Sequence, residues 1–419
     1  VHFSSIEIEN FRNLKKVALR PSAGLNLFIG QNGQGKTNLI EALHLAVNGQ
    51  SFRTSSVENL ISLQSPQMQS YIRLLIHSDK ETSKLEVSLE GKTKKFRINS
   101  KPASIKELSK KFPSVIFAPE SLSAIKRGPE ERRTLMDEIA QTNNIQHVDI
   151  LVDFLKTLRS RNALLKEIVK QGVSEPQREV LEILDKRFVD QSVDLVISRL
   201  NGLLSIEQMA SQVMSRISNK TQQKTSMRYL VSGKVITKPN ADEIRNALRQ
   251  RMTELRLAEF AQGSTLAGPH RHDLQILLDA MDSRQHCSQG QQRALILAIK
   301  ISQVMQHFER YGRYPILLLD DVLSELDAEK RAFLLGFLTS VKTQTFVSST
   351  EGSDFEAQFQ EEGFLKLTTE LEHSTFTVQN GLVERLSDKN DHRTAVKEFA
   401  EEEFEIGNGR GTFVRTEPR

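Results

Sequence analysis

The sequence predicts an α/β fold: a head with a mixed β-sheet, interrupted by a second, mostly α-helical lobe that carries a short antiparallel helical arm. Three observations predict it. The run Gly30-Gln31-Asn32-Gly33-Gln34-Gly35-Lys36-Thr37 lies between an apolar, strand-like stretch (Leu25 to Ile29) and a segment of helical period. A second apolar run, Ile316 to Leu319, ends in the carboxylates Asp320 and Asp321. Between the two lie long stretches with apolar residues at alternating four and three spacing.

The first run fits G-x-x-x-x-G-K-[ST] at every fixed position. Glycines let backbone N–H groups curl around phosphates with no Cβ in the way, and the helix that follows adds the positive end of its dipole. Leu39, Ile40, Leu43, Ala46 and Val47 supply that helix with an apolar face. In this setting Lys36 is expected to reach the β- and γ-phosphates of ATP, and Thr37 to hold Mg2+. The bland alternative is a glycine-rich turn with a chance lysine. Strand and helix on the correct sides weigh against it.

The 419 residues allow two or three domains and a sizeable core. No stretch approaches the roughly 18 apolar residues of a membrane span. The N-terminus lacks the pattern of a signal peptide. A single cysteine, Cys287, rules out an internal disulfide and fits a reducing compartment. The expectation is therefore a cytoplasmic protein with no membrane partner. A net charge of +4 and a pI near 9.0 are compatible with nucleic acid but too modest to establish it.

In chain order, Ile6 and Ile8 alternate with glutamates and lead into Asn10-Phe11-Arg12-Asn13-Leu14, a strand and a turn. Arg12 reads either as a solvated turn residue or as a nucleotide contact. Tyr71 to Ile76 is strand-like. Leu85 to Leu89 and Lys94 to Ile98 form a hairpin around Glu90-Gly91, with Leu85, Val87, Leu89, Phe96 and Ile98 on its buried face. The hairpin carries Lys92, Lys94, Lys95, Arg97 and Lys101. These are either a solvated face or a sequence-independent contact to a phosphate backbone. Val115 to Phe117 ends a strand, and Glu130 and Glu131 begin a helix in accord with its dipole.

From about residue 145 the pattern turns to long helices. Leu151, Leu155, Leu158, Asn162, Leu165 and Val169 form one limb of the arm, and Leu181, Leu184, Phe188, Gln191 and Leu195 the other. Each limb is roughly 25 residues, or ~38 Å, with Gly172 to Pro176 turning the chain. Asn162 and Gln191 are expected in the seam, fixing register. A further helix, Ile206 to Ile217, a β-like piece at Met227 to Val231, and a helix opening at Asn240 follow. His270, His272 and Asp273 could be read as a metal cluster, but no further ligand stands at suitable spacing.

Ser288 caps a strongly amphipathic helix and Gly290 follows it. The Ile316 to Asp321 run reads as a Walker B strand. Asp320 would hold Mg2+, and Asp321 would orient or deprotonate the attacking water. Asp327 follows in Ser324-Glu325-Leu326-Asp327. Lys36 and Asp320 are 284 positions apart (320 − 36), so most of the chain is inserted between two halves of one nucleotide site. A metabolic P-loop kinase is disfavoured by that gap.

This order of motifs resembles an ABC-type ATPase. The resemblance implies that Ser288 and Gly290 cap the γ-phosphate held by a second copy, so that ATP drives an ATP-dependent homodimer and hydrolysis releases it. More specifically the chain resembles the RecF family of bacterial recombination mediators, an SMC-like group. The match is carried by Glu9 to Leu14, the phosphate loop with Thr37 to Ala42, and Ser51-Phe52-Arg53. It continues through Phe117 to Glu120 with Gly128-Pro129 and Arg132-Arg133, Gly268-Pro269-His270-Arg271, and Leu319 to Val322 with Glu325-Leu326-Asp327. It implies a weak DNA-dependent ATPase of repair and replication, nucleoid-associated, that acts on double-stranded and gapped DNA with RecR and RecO to help RecA load. His272 departs from an acidic residue common in the family, and Gln291 from another. Ser348 to Thr350 stands where ABC transporters place a switch histidine. The expected division is head, 1–115; helical lobe with arm and signature helix, 116–307; head again, 308–383; and a polar, poorly ordered tail, 384–419. The rivals are an ABC transporter ATPase subunit, which needs a membrane partner, and an SMC-like structural protein, for which the arm is too short.

Overall fold

The backbone brings the C-terminal ends of four parallel strands, distant in sequence, to the same end of a sheet, and the phosphate loop lies there. The computed structural model describes residues 1–78, 81–122, 124–220, 223–231, 234–350 and 372–386. Strands β1 (His2–Phe11), β2 (Leu14–Leu19) and β3 (Leu25–Ile29) precede α1 (Lys36–Asn48). Then come β4 (Gln69–His77), β5 (Thr82–Glu90), β6 (Thr93–Ile98), β7 (Lys101–Pro102), α2 (Ile105–Lys111) and β8 (Ser114–Phe117). Helices α3 (Pro119–Leu122), α4 (Pro129–Asn143), α5 (His147–Gln171) and α6 (Glu175–Ile217) follow, then β9 (Thr225–Val231), β10 (Lys234–Ile236) and α7 (Ala241–Gln262). The chain continues through β11 (Asp273–Leu278), β12 (Met281–Asp282), α8 (Ser283–His286) and α9 (Gln289–Tyr311). It closes with β13 (Ile316–Asp320), α10 (Ala328–Ser340), β14 (Thr345–Ser349), β15 (His373–Gln379) and β16 (Leu382–Arg385).

The central sheet has the order β16-β15-β3-β14-β13-β8. Five of its strands run parallel and β16 is antiparallel. Parallel strands covered on both faces read as unbroken apolar runs, and every residue of β3, β13 and β14 is buried. The pleat then sorts the side chains. Leu317 and Leu319 join the core shared with α4, α6 and α9, while Leu318 and Phe28 join the core under α1 and the first sheet. That first sheet, β2-β1-β4-β5-β6-β7, is antiparallel throughout. In its β5–β6 hairpin Leu85 pairs with Ile98 and Val87 with Phe96, so the buried face read from the sequence is the observed one.

The helical lobe departs from expectation in three ways. The second limb of the arm and the helix at Ile206 to Ile217 are one helix, α6, of 43 residues, against 25 in α5. Beyond Pro176 in its first turn, its one glycine or proline is Gly202, which packs so closely on Ala140 that a Cβ would lie 2.8 Å from the Ala140 Cα. The lobe also holds a four-stranded sheet, β10-β9-β11-β12, which joins the β-like piece to the strand after Gly268-Pro269-His270. Asn162 and Gln191 do not face each other as a register pair. Asn162 Oδ1 accepts from the backbone N and Oγ1 of Thr265, at 2.8 and 2.7 Å, and so ties the arm root to the chain after α7. Beside it Arg161, fully buried, donates to Asp185, Glu259 and Thr265 at 2.6 to 2.7 Å.

By sheet membership the first head segment runs to Phe117, since β8 pairs with β13, and α9 crosses position 307 without a break. The expected tail lies almost wholly outside the described residues.

Candidate nucleotide site

The loop from Gly30 to Thr37 joins β3 to α1. Gly35 takes φ 121° at the start of the helix, and a Cβ there would lie 2.9 Å from Asn13 Oδ1, so glycine is required twice over. Gln31, Asn32 and Gly33 are exposed, and Gly30, Gly35 and Lys36 are buried. The apex is braced from behind. Asn13 Nδ2 and the Gly381 N–H both donate to Gln34 O, and the Asn380 N–H donates to Gln34 Oε1 at 2.6 Å. Lys36 Nζ donates to Gly30 O and Gln31 O at 2.5 and 2.9 Å, which holds the ammonium against the loop backbone.

The parallel register brings Asp320 opposite Ser348, and Ser348 opposite Phe28 near the loop. Thr37 Oγ1 donates to Asp320 Oδ1 at 2.9 Å, across 283 positions of sequence. Ser348 Oγ donates to the same oxygen at 2.8 Å and accepts from the Asp321 N–H at 3.0 Å. Burial pushes the Asp320 carboxyl above the usual carboxylate range; the two hydroxyls oppose the shift, and Glu120, just past β8, reinforces it. Asp321 has φ 46°, so its side chain leaves the strand in another direction. Burial raises its pKa too, with Lys36 among the groups opposing the rise. The structure thus brings together Lys36, Thr37, Asp320 and Asp321.

It does not bring Ser288 into its own phosphate loop as a bonded partner. Ser288 is exposed at the N-terminus of α9, where its hydroxyl accepts from the Gln291 N–H and Gln291 Oε1 accepts from the Ser288 N–H. Gln291 therefore completes a capping box, a role legible in the Ser-x-x-Gln spacing. Asp327 caps α10 and pairs with Lys330, whose Nζ lies 3.7 Å from the Cβ position of Gly290. Arg293 of α9 donates to Glu325 O at 2.7 Å and pairs with its carboxylate. Signature and Leu-Asp segments so form one continuous surface.

Contacts bear on three other readings. Arg12 is partly exposed, and its guanidinium grips the fully buried Glu41 at 2.7 and 2.8 Å, beside Arg53 and Ser51. Lys94 is not on the exposed face of the hairpin. Its Nζ donates to Gly49 O, the C-cap of α1, at 2.5 Å, and burial lowers its pKa. It shares strand parity with Phe96 and Ile98, a signal that places it inward. Lys92, Lys95 and Arg97 remain exposed. The His270, His272 and Asp273 cluster holds no metal geometry. His270 Nε2 bonds Thr265 O, His272 Nδ1 bonds the Tyr229 hydroxyl, and Asp273 is gripped by Arg132. Among the described residues there is no cluster of three such ligands.

Fold and site define the chain as an ABC/SMC-type P-loop ATPase. A family model described as "RecF/RecN/SMC N terminal domain" matches residues 2–373. The DNA replication and repair protein RecF of Caldanaerobacter subterraneus subsp. tengcongensis is 35% identical over 359 residues, 85% of this chain and 96% of that protein. The chain belongs to the RecF family. A solved structure of the recombination mediator protein RecF with ATP, from the RecFOR pathway, superposes with a TM-score of 0.78 at 33% identity, covering 92% of this chain and 98% of that one. An Smc head bound to a winged-helix domain of ScpA, at 14% identity and a TM-score of 0.51, shares the fold. Among the described residues no helix is long and apolar enough to cross a membrane.

Proposed function

We propose that this protein is an ATP-dependent DNA-binding protein of recombinational repair and replication restart. ATP closes a two-fold dimer on double-stranded or gapped DNA, and slow hydrolysis opens it. The observation that carries the reading is a split site. Phosphate loop and Walker B carboxylates meet within one chain, while the Ser288-Gly290 helix N-terminus faces solvent. A second copy related by two-fold symmetry would present that N-terminus to the γ-phosphate, hydroxyl and N–H groups toward an anion. Asp327 lies on the same surface. The ATP-bound relatives of the RecFOR pathway, with their names of replication and repair, support the DNA role and RecO and RecR as partners in helping RecA to load.

Within the site each group has a task. Loop N–H groups and Lys36 neutralise phosphate charge. Thr37 and Asp320, which meet at 2.9 Å, are hard oxygen donors and would suit Mg2+. The ion, when bound, would screen the β- and γ-phosphate charges. Asp321, made more basic by burial, accepts the proton of the attacking water. Lys92, Lys95 and Arg97 are the cations through which the head meets DNA phosphates.

Binding of a labelled duplex, measured against salt with and without ATP, tests this reading. Affinity should require ATP and fall linearly on a log–log salt plot. Lys36→Ala should lose the ATP-dependent part, about tenfold or more. Salt-insensitive binding, or binding indifferent to ATP, would contradict it.

A further inference from the structure

We infer that Ser348 is a positioning residue for hydrolysis: its single hydroxyl aims the two adjacent carboxylates of Asp320-Asp321 in different directions. Ser348 is fully buried at the end of β14. Its O–H is committed to Asp320 Oδ1 at 2.8 Å, on the oxygen that also faces Thr37. Its lone pair receives the Asp321 N–H at 3.0 Å. One atom therefore fixes the side chain of the first aspartate and the backbone of the second.

The backbone at Asp321 needs such a hold. A non-glycine residue at φ 46° is disfavoured and persists only where its surroundings impose it. The left-handed turn ends β13 and carries the Asp321 carboxylate away from Asp320. Asp321 Oδ1 is buried with no hydrogen-bond partner, which leaves it a strong acceptor for a proton. Without the Ser348 hydroxyl, the Asp321 N–H would be orphaned and Asp320 Oδ1 would be held by Thr37 alone. Both aspartates would lose their fixed orientation together. This rests on the nucleotide-site reading above, and it adds a residue that acts through Asp320 and Asp321.

The test compares Ser348→Ala, Ser348→Cys and Ser348→Thr in the full chain. Three readouts are taken: affinity for a fluorescent ATP analogue in EDTA, the Mg2+ midpoint of ATPase activity, and kcat against KM. Melting curves confirm that each variant folds. Ala and Cys, which lose the hydroxyl, should raise the Mg2+ midpoint and lower kcat, each about tenfold, as removal of an outer partner of a metal ligand does. Affinity in EDTA and KM should stay within about twofold, and Thr should keep most of the wild-type behaviour. Ala or Cys with wild-type midpoint and kcat would overturn the inference. So would a Thr variant as impaired as Ala, which would assign the loss to packing. A wild-type protein that binds no ATP analogue at all would instead overturn the nucleotide-site reading.

Discussion

Asp320 and Asp321 are neighbours in sequence with different proposed roles, and one backbone torsion separates their directions. Asp320 continues the pleat of β13 and meets Thr37. Asp321, at φ 46°, does not. Removal of the proposed base by Asp321→Asn should lower kcat by about 10² or more while ATP still binds, so the ATP dimer accumulates. Single-turnover hydrolysis measures this, and undiminished turnover would reject Asp321 as the base. Both aspartates were legible as residues, because an apolar run ending in two carboxylates is unusual. Their partner Ser348 was not. Its bonds exist only because β14 pairs with β13 in one register, and that pairing leaves no mark in a local window. Lys94 differs: strand parity with Phe96 marks it as inward, whereas charge alone groups it with the exposed lysines.

Among the elements, local pattern gave the strand, loop and helix around Gly30 to Thr37, since all three signals are contiguous. It did not give the unity of α6, whose limb and lobe halves bury different faces against different neighbours. Nor did it explain Gly268-Pro269-His270-Arg271. The structure uses that segment as a joint. Arg199 donates to Pro269 O at 2.9 Å while gripping Asp137, and Arg133 donates to His272 O. Gly268 takes φ 127°, and a Cβ there would lie 2.6 Å from the Phe188 ring. Gly268→Ala should therefore cost about 2 to 4 kcal/mol, from backbone strain and overpacking together. A urea melt measures it. A loss of stability of less than about 0.5 kcal/mol would show that the joint tolerates a side chain.

For the whole molecule, this joint sets a pH dependence. Burial, reinforced by nearby cations, holds His272 down to about 3; for His270, at about 4, a bond to Thr265 O partly opposes it. Both titrate near 6.5 when unfolded, so the unfolded chain binds more protons as pH falls below that value. Stability is full above pH ~6.5 and is lost on acidification, by about 2 kcal/mol for each histidine near pH 5. Asp137 enters only later. Burial opposes its ionisation, but Arg199 and His147 hold it at about 2, so its contribution is present above pH ~4 and fades toward 2. Denaturant melts from pH 8 to 5 should show the histidine loss, and His272→Gln should flatten it. Equal slopes for both proteins would contradict the assignment.

The proposed split nucleotide site is also a property of the whole molecule, since on that reading it needs two copies. Sedimentation velocity of the full chain with and without Mg-ATP and duplex DNA, beside Ser288→Arg, is its most direct test. Wild type should shift from monomer to dimer only with ATP, and Ser288→Arg should bind ATP yet remain a monomer. A wild-type monomer with saturating ATP and DNA, or a Ser288→Arg variant that dimerises normally, would contradict closure of the site by a second copy.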